Sequence, residues 1–334
     1  MRRRDFTVGL LLASAAQSVR AQERVKQHRI AIVIASGPVT RVNDPASHAW
    51  QAFWEELRRL GHIEGQNLTV ERYSGEGRPE GYADLAREIV GRGPDVIVPI
   101  SPPILRAVSA ATSTIPIVGS GAYTSLGLVP SLARPVGNVT GITVDTGFEI
   151  YGKRLQILKE AVPSASRVAF LDMRRSRESA EWQQLKEELG TASGRLQISL
   201  TDMLLHESTH SEYQRGFAEI AQDPPDAIFV SGISEFFAYR QLIVDLVEKS
   251  RLPAMYGSRE FIEAGGLMAY QADMGEAGRR VADDVHQILN GAKPADTPIY
   301  QATKFEFLIN LKAAKALGLT LPPALLAAAD EVIE

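Results

Sequence analysis

A short stretch in the second half of the chain has the residue spacing of a zinc hydrolase. His206, Glu207 and His210 form the pattern His-Glu-x-x-His, in which two imidazoles one helical turn apart bind Zn²⁺ and the glutamate acts as general base. Thr209 and Glu212, however, form a capping box that predicts a helix beginning at His210. His206 then lies in the preceding loop, away from the helical face of His210. We therefore expect no metal or other cofactor, and an exported zinc hydrolase is the alternative.

Other catalytic patterns are incomplete in this sequence. Gly119-Ser120-Gly121 follows a predicted strand but lacks the third glycine and the later acidic residue of a dinucleotide-binding fingerprint. Neither a phosphate-binding loop with its lysine nor a Gly-x-Ser-x-Gly nucleophile elbow occurs. The chain has no cysteine, which excludes disulfides, thiolate zinc sites, cysteine nucleophiles and a lipid-modified N-terminal cysteine. We therefore predict that the protein is not an enzyme.

Small polar, charged and aromatic residues instead follow the ends of the predicted strands. In doubly wound sheets, ligands bind beyond the carboxyl ends of the strands, where backbone N–H groups at helix N-termini point outward. Serines at such positions also cap helices, and one residue can serve both purposes. We predict a ligand-binding site formed by Ser36, Ser101, Ser120, Tyr123, Asp172, Met173, Ser231, Glu235, Tyr256 and Arg259.

Arg259 predicts part of the chemistry of the ligand. A guanidinium forms bidentate hydrogen bonds with a carboxylate, and the aromatic and methionine side chains of the same set supply apolar walls. We therefore expect a small, partly apolar ligand that carries a carboxylate. An aromatic amino acid or aromatic acid is the first candidate, and a branched aliphatic amino acid or other small amide is the second. The alternative for Arg259 is a salt bridge with Glu260 or Glu263.

The elements that position these residues are short apolar strands alternating with amphipathic helices, which is typical of parallel sheets covered by helices. The pattern includes a strand over 196–200 and one continuous helix over 236–249. Three strand segments also occur twice in the same order along the chain. The pairs are 28–33 and 166–171, 94–98 and 225–230, and 115–120 and 252–258.

This duplication predicts an α/β fold with two doubly wound parallel-sheet lobes built on one plan. Two similar lobes form a cleft, and clefts of this kind bind small molecules. We predict that residues 28–143 and 273–302 form one lobe, and that residues 144–271 and 303–334 form the other.

The composition is that of an ordinary soluble globular protein. The chain has 334 residues, of which 45% are hydrophobic and 23% charged, and this length is sufficient for two domains. The formal net charge is −4, so we expect no nucleic acid among the partners.

The N-terminus predicts export from the cytoplasm. Residues 1–21 begin with a basic segment, continue with a short apolar run, and end in Val19-Arg20-Ala21, which has small residues at the two positions that a signal peptidase reads. Arg3-Arg4-Asp5-Phe6 fits the twin-arginine pattern, and the Sec route is the alternative. We expect cleavage near Ala21 and a mature protein in the periplasm.

Several segments together carry a resemblance to one family. They are 2–6, 61–67, 126–135, 137–141, 259–268, 291–296, 310–318 and 329–333. In combination they resemble the extracytoplasmic substrate-binding proteins of ABC transporters, in the subfamily related to tryptophan and tyrosine uptake. The resemblance covers nearly the whole chain after residue 21.

This resemblance implies a type I periplasmic-binding fold, with three crossing strands between two lobes and a cleft that closes on its ligand. It also implies that serine or threonine and an acidic residue contact an amino-acid ligand, for which Ser36, Ser101 and Glu235 match by strand position. The expected partners are a small-molecule ligand and an ABC transporter permease in the inner membrane, and we predict a monomer. A ligand sensor of the same fold that takes no part in transport is a further alternative.

Overall fold

A computed structural model describes residues 27–45, 47–121, 123, 127–143, 147–178 and 182–334. The predicted signal peptide lies outside these described residues. The strands are β1 (His28–Ile34), β2 (Leu68–Ser74), β3 (Val96–Ile100), β4 (Ile117–Ser120), β5 (Val139–Thr143), β6 (Arg167–Met173), β7 (Ser199–Leu205), β8 (Ala227–Val230), β9 (Ala254–Tyr256), β10 (Met268–Ala272), β11 (Tyr300–Gln301), β12 (Phe305–Asn310) and β13 (Glu331–Ile333).

Helices alternate with these strands along the chain, as the sequence pattern predicts. They are α1 (His48–Arg59), α2 (Tyr82–Arg92), α3 (Pro102–Ala111), α4 (Glu149–Ala161), α5 (Trp182–Leu196), α6 (His210–Ile220), α7 (Arg240–Lys249), α8 (Arg259–Glu263), α9 (Met274–Leu289), α10 (Leu311–Ala316) and α11 (Pro323–Ala327). No helix within the described part of the chain has the length and apolarity needed to cross a bilayer.

The strands form two sheets with the same internal order. The first sheet has the order β11-β5-β4-β3-β1-β2, and the second has the order β13-β12-β10-β9-β8-β6-β7. The series β2-β1-β3-β4-β5 in one sheet therefore matches β7-β6-β8-β9-β10 in the other. The three echoed sequence segments form β1 and β6, β3 and β8, and β4 and β9, which occupy matching positions. This repeated order explains the duplication seen in the sequence and confirms the predicted α/β fold class.

Pairing in both sheets is mainly parallel. β1 pairs with β2 and β3, and β6 pairs with β7 and β8, all in parallel. The second sheet differs next to its edge strand β13, where β10 and β12 are antiparallel. Parallel sheets require helices on both faces, which accounts for the continuous apolar runs in the central strands.

Alternating residues of β6 show how the second sheet is covered on both faces. Val168 and Phe170 belong to one hydrophobic cluster, and Ala169 and Leu171 belong to another. Because successive side chains of a strand point to opposite faces, each face of this sheet has a core of its own. The first cluster includes the contact between Phe170 and Phe229, whose ring centroids lie 5.2 Å apart.

The described chain divides into two compact units, each formed from discontinuous segments. Unit 1 contains the residues up to Ser120, Thr124–Gly141 and Val281–Pro298, and unit 2 contains Gly121–Tyr123, Ile142–Arg280 and Ile299–Glu334. The lobe boundaries derived from the sequence remain a prediction.

Two elements differ from the sequence-based prediction. The strand expected at 196–200 begins only at Ser199, because α5 continues to Leu196 and Gln197 then takes a left-handed conformation with φ 55°. The single helix expected over 236–249 is divided. A 3₁₀ segment, Ser234–Tyr239, precedes α7, which starts at Arg240.

Candidate functional site

Three predicted serines lie together at the carboxyl edge of the sheet in unit 1. Ser36 follows β1, Ser101 follows β3, and Ser120 ends β4. β1 and β4 both flank β3, and the Ser101 backbone N–H donates to the Ser120 carbonyl over 3.0 Å. The strand ends thus bring together three residues that the sequence separates widely. Ser36 is exposed, and Ser120 is partly exposed.

Ser101 has two features that are uncommon for an ordinary helix cap. Its φ is 105°, in the region that favours glycine. Its Oγ is buried and has no hydrogen-bond partner within the described residues, and it does not cap α3. Pro102 at the start of α3 restricts the backbone conformation of the residue before it. Strained backbone and unsatisfied polar atoms are concentrated at ligand sites, so this edge is a candidate site.

Asp172 and Ser231, at the ends of β6 and β8, are part of a buried polar network in unit 2. Asp172 is 1% exposed. It accepts hydrogen bonds from Met173 N (2.8 Å), Ser176 Oγ (3.0 Å) and Ser231 Oγ (3.0 Å), and Arg177 Nη1 lies 3.2 Å away. Burial raises the pKa of Asp172 above its usual value, and the hydrogen bonds and Arg177 oppose this shift. These contacts join the ends of β6 and β8.

Three other predicted residues are enclosed by protein. Tyr123, Met173 and Tyr256 are each at most 1% exposed. The Tyr256 ring stacks on Phe261 at a centroid distance of 4.9 Å, and its hydroxyl is buried without a hydrogen-bond partner within the described residues. Burial raises the pKa of Tyr256. The described structure places these side chains in the protein interior rather than on an open surface.

Two predicted charged residues have partners within the protein. Glu235 forms an ion pair with Arg175. Arg259 Nη2 lies 2.8 Å from Glu306 Oε2, and Arg259 Nη1 lies 2.7 Å from Glu331 Oε2. The ion pairs of Arg259 are therefore made with distant glutamates, and the pairing predicted with Glu260 or Glu263 is replaced by these contacts. A ligand carboxylate at Arg259 would have to compete with two carboxylates that are already bound.

Sequence reasoning missed Arg154, the most unusual charged residue at the strand ends of unit 2. Its side chain projects from α4, and the residue is 5% exposed. Nε donates to the Tyr270 carbonyl over 2.7 Å, and Nη2 donates to the Gly257 carbonyl over 3.1 Å. The guanidinium carbon lies 5.4 Å from the centre of the Tyr151 ring. No carboxylate within the described residues pairs with it.

Burial lowers the pKa of Arg154 to about 10, while Tyr151 and Tyr270 act in the opposite direction. The residue is still a cation at neutral pH. A signal for this site was present in the sequence. Arg154 stands three residues after Tyr151 and four before Leu158, on the apolar face of a predicted helix, where an unpaired charge is uncommon.

The His-Glu-x-x-His pattern does not lie on a single helix. β7 ends at Leu205, and α6 begins at His210 with Thr209 as its N-cap, as predicted. His206 therefore precedes the helix. The capping differs in detail, because the Thr209 side chain makes no cap bond and the Glu212 carboxylate instead accepts from the His206 backbone N–H over 2.9 Å. The hydrogen bond from Arg215 and that from His206 lower the pKa of Glu212 to about 2, so this carboxylate stays charged at the start of α6.

Comparison with known proteins agrees with this architecture. Residues 39–333 match the family model described as ABC transporter substrate binding protein. A protein named tyrosine-binding protein, from Clostridioides difficile (strain R20291), is 21% identical over 273 residues, which cover 81% of this chain and 76% of the relative.

Solved structures show the same fold. A conserved domain protein from Vibrio cholerae matches with a TM-score of 0.77 and 25% identity, over 92% of this chain and 100% of that one. A Streptococcus pneumonia ABC domain in complex with L-Trp matches with a TM-score of 0.75 and 22% identity, over the same shares. The fold is that of type I periplasmic binding proteins, as predicted.

Members of the matched family bind solutes outside the cytoplasm, and the family is not one of enzymes. Because the family model spans nearly all of the described residues, the chain belongs to the family of ABC transporter substrate-binding proteins.

Proposed function

We propose that this protein is the solute-binding component of an ABC uptake transporter, and that it captures an amino acid or related small carboxylate for delivery to an inner-membrane permease. The match of residues 39–333 to the substrate-binding family carries this proposal. An aromatic amino acid is the first ligand candidate. The relative from C. difficile is named for tyrosine binding, and the S. pneumonia structure contains L-Trp.

The described strand ends support solute binding without catalysis. Ser101 offers an unsatisfied hydroxyl at an edge that also carries Ser36 and Ser120. Asp172, which could have served as a base, is instead surrounded by hydrogen-bond donors and Arg177. We propose that the three serines contact the ligand and that the protein performs no chemical step.

The place of action follows from the N-terminal sequence. We propose that residues 1–21 direct export and are removed near Ala21, so that the mature protein acts in the periplasm. Mass spectrometry of the protein recovered from a periplasmic extract measures the new N-terminus. Full-length protein retained in the cytoplasm would contradict this part of the proposal.

Ligand binding is tested directly on the mature protein. The protein is unfolded and refolded to remove bound solutes, and its melting temperature is measured with each amino acid and with sugars and polyamines. A ligand that binds the native state raises the melting temperature, and the rise increases with the ratio of ligand concentration to dissociation constant. We expect an aromatic amino acid to give the largest rise, with titration calorimetry supplying the dissociation constant.

A pair of matched serine variants tests whether the ligand binds at Ser101. Ser101→Ala should weaken binding of the best ligand, whereas Ser250→Ala, which alters an exposed serine after α7, should leave it unchanged. Stabilisation by sugars or polyamines alone would contradict the ligand class, and no stabilisation by any solute would contradict solute capture. For the transport step, cells lacking the gene should take up the identified amino acid more slowly.

A further inference from the structure

Arg154 is a buried cation that has no counter-ion among the residues that the structure describes. Two of its nitrogens donate to the main-chain carbonyls of Tyr270 and Gly257. The third, Nη1, carries two further N–H donors and has no hydrogen-bond partner within the described residues. Burying a charge is unfavourable unless it is paired, so a bound anion would improve the environment of this side chain.

The unpaired nitrogen lies beside two glycines, Gly232 after β8 and Gly257 after β9. A Cβ built on Gly232 would lie 3.6 Å from Arg154 Nη1, and one built on Gly257 would lie 3.5 Å from it. Gly232 follows β8 and is exposed, whereas Arg154 is buried. A solute that reaches the carboxyl end of β8 therefore meets this nitrogen without passing over a side chain at Gly232.

A second unsatisfied polar group is next to Gly257. Ser258 is 5% exposed, and its Oγ is buried without a hydrogen-bond partner within the described residues. Arg154 donates to the carbonyl of Gly257, the residue immediately before Ser258. An unpaired guanidinium nitrogen and an unpaired hydroxyl thus occur along one short segment. Both can donate to an anionic oxygen.

Arg259, which also lies at this edge of unit 2, does not offer the same chemistry. Arg259 is engaged by Glu306 and Glu331, so its charge is already compensated. Burial is the main influence on the pKa of Arg154, and the other contributors are tyrosines rather than carboxylates.

We propose that Arg154 binds the carboxylate of the transported solute and so makes this protein selective for anionic or zwitterionic ligands over their neutral or cationic analogues. The inference rests on the proposed function and names the ligand group that this site recognises. It assigns to Arg154 the role that the sequence alone suggested for Arg259.

The experiment compares each acid with an analogue that lacks only the negative charge. Dissociation constants of the mature protein are measured by calorimetry for L-tryptophan, L-tyrosine and L-leucine and for the corresponding amides. The wild-type protein should prefer at least one acid over its amide. In Arg154→Gln this preference should fall roughly 10- to 100-fold, the range expected for charge-assisted hydrogen bonds. The variant should bind the amide with little change.

Two further variants separate ligand contact from support of the fold. Gly232→Val keeps the arginine but places a side chain beside Nη1, in space that accepts a Cβ, so it should also reduce the preference for the acid. Arg259→Gln should leave the ratio unchanged. A purely structural role of Arg154 would weaken binding of acid and amide equally.

The outcomes distinguish this inference from the proposed function. If a solute binds but the acid-to-amide ratio is the same in wild type and Arg154→Gln, the role of Arg154 is refuted and solute capture stands. If the wild-type protein binds none of the three acids but is stabilised by an uncharged solute, the carboxylate inference is likewise refuted. If Arg154→Gln does not fold, an unchanged ratio in Gly232→Val refutes it instead.

Discussion

Replacing Arg154 by methionine should destabilise the ligand-free protein less than the loss of its hydrogen bonds alone would, although the side chain is buried. Two opposing effects determine the result. Burial lowers the pKa of Arg154 from its usual value to about 10 on folding. At about 1.4 kcal/mol for each pKa unit, holding the cation in the interior costs about 3 kcal/mol at neutral pH.

The substitution also removes the hydrogen bonds to the carbonyls of Tyr270 and Gly257. Because the donor is charged, each bond contributes about 1.5 to 3 kcal/mol, so this loss amounts to about 3 to 6 kcal/mol. Removal of the buried cation offsets much of this loss, and methionine fills most of the vacated volume. We expect the free energy of unfolding in urea to fall by no more than about 3 kcal/mol.

Arg177→Met is the matched control, since Arg177 is also largely buried but is paired. Its guanidinium lies 3.2 Å from Asp172 and 2.6 Å from Asp202, and removing it leaves the buried Asp172 carboxylate without its ion-pair partner. This variant should lose roughly 3 to 5 kcal/mol. A loss above about 3 kcal/mol for Arg154→Met, or similar losses for both variants, would refute the view that Arg154 is an uncompensated charge.

Three further predictions concern stability. Burial, followed by repulsion from His286, lowers the pKa of His62 below its usual 6.5. The unfolded chain therefore binds the proton more tightly, and stability should fall as the pH drops below about 6.5. In urea unfolding, the free energy of unfolding should differ less between pH 7.5 and pH 5 in His62→Gln than in the wild-type protein. Phe229→Ala should lose about 3 to 5 kcal/mol in the same assay, because the ring is fully buried against Phe170; a loss below 1 kcal/mol would contradict this packing. Ser101→Gly should raise the free energy of unfolding by about 1 kcal/mol, because glycine relieves the strain at φ 105°. A lower melting temperature than that of the wild-type protein would show that no strain is stored there.

Much of the fold could be predicted because strands buried on both faces produce continuous apolar runs. β1, β3 and β4 and their counterparts β6, β8 and β9 are of this kind, which is why their resemblance was visible in the sequence. β7 lies at the edge of its sheet and exposes several side chains. Its apolar signal is therefore weak, and the prediction placed the strand too early, over the end of α5.

The candidate site could be predicted only where it depends on strand ends. The position of Ser36, Ser101 and Ser120 at one sheet edge could be predicted because the carboxyl ends of parallel strands are identifiable from the sequence, and their contact with a ligand stays a prediction. The partners of Arg259 could not be foreseen, because Glu306 and Glu331 lie 47 and 72 residues away along the chain. Arg154 was missed because it reaches the strand ends from a helix, and only the tertiary packing of α4 shows this.

The discontinuous makeup of unit 1 has a consequence for the order in which the chain can fold. This unit includes residues 281–298, and Thr140 Oγ1 donates to the Thr297 carbonyl over 2.7 Å across 157 residues of sequence. His62 Nε2 and His286 Nδ1 lie 2.9 Å apart across 224 residues. During synthesis, most of unit 1 emerges from the ribosome first, but the unit is complete only after residues 281–298 have been made. Unit 1 reaches its native state only when most of the polypeptide is present, and such long-range contacts make its folding slow.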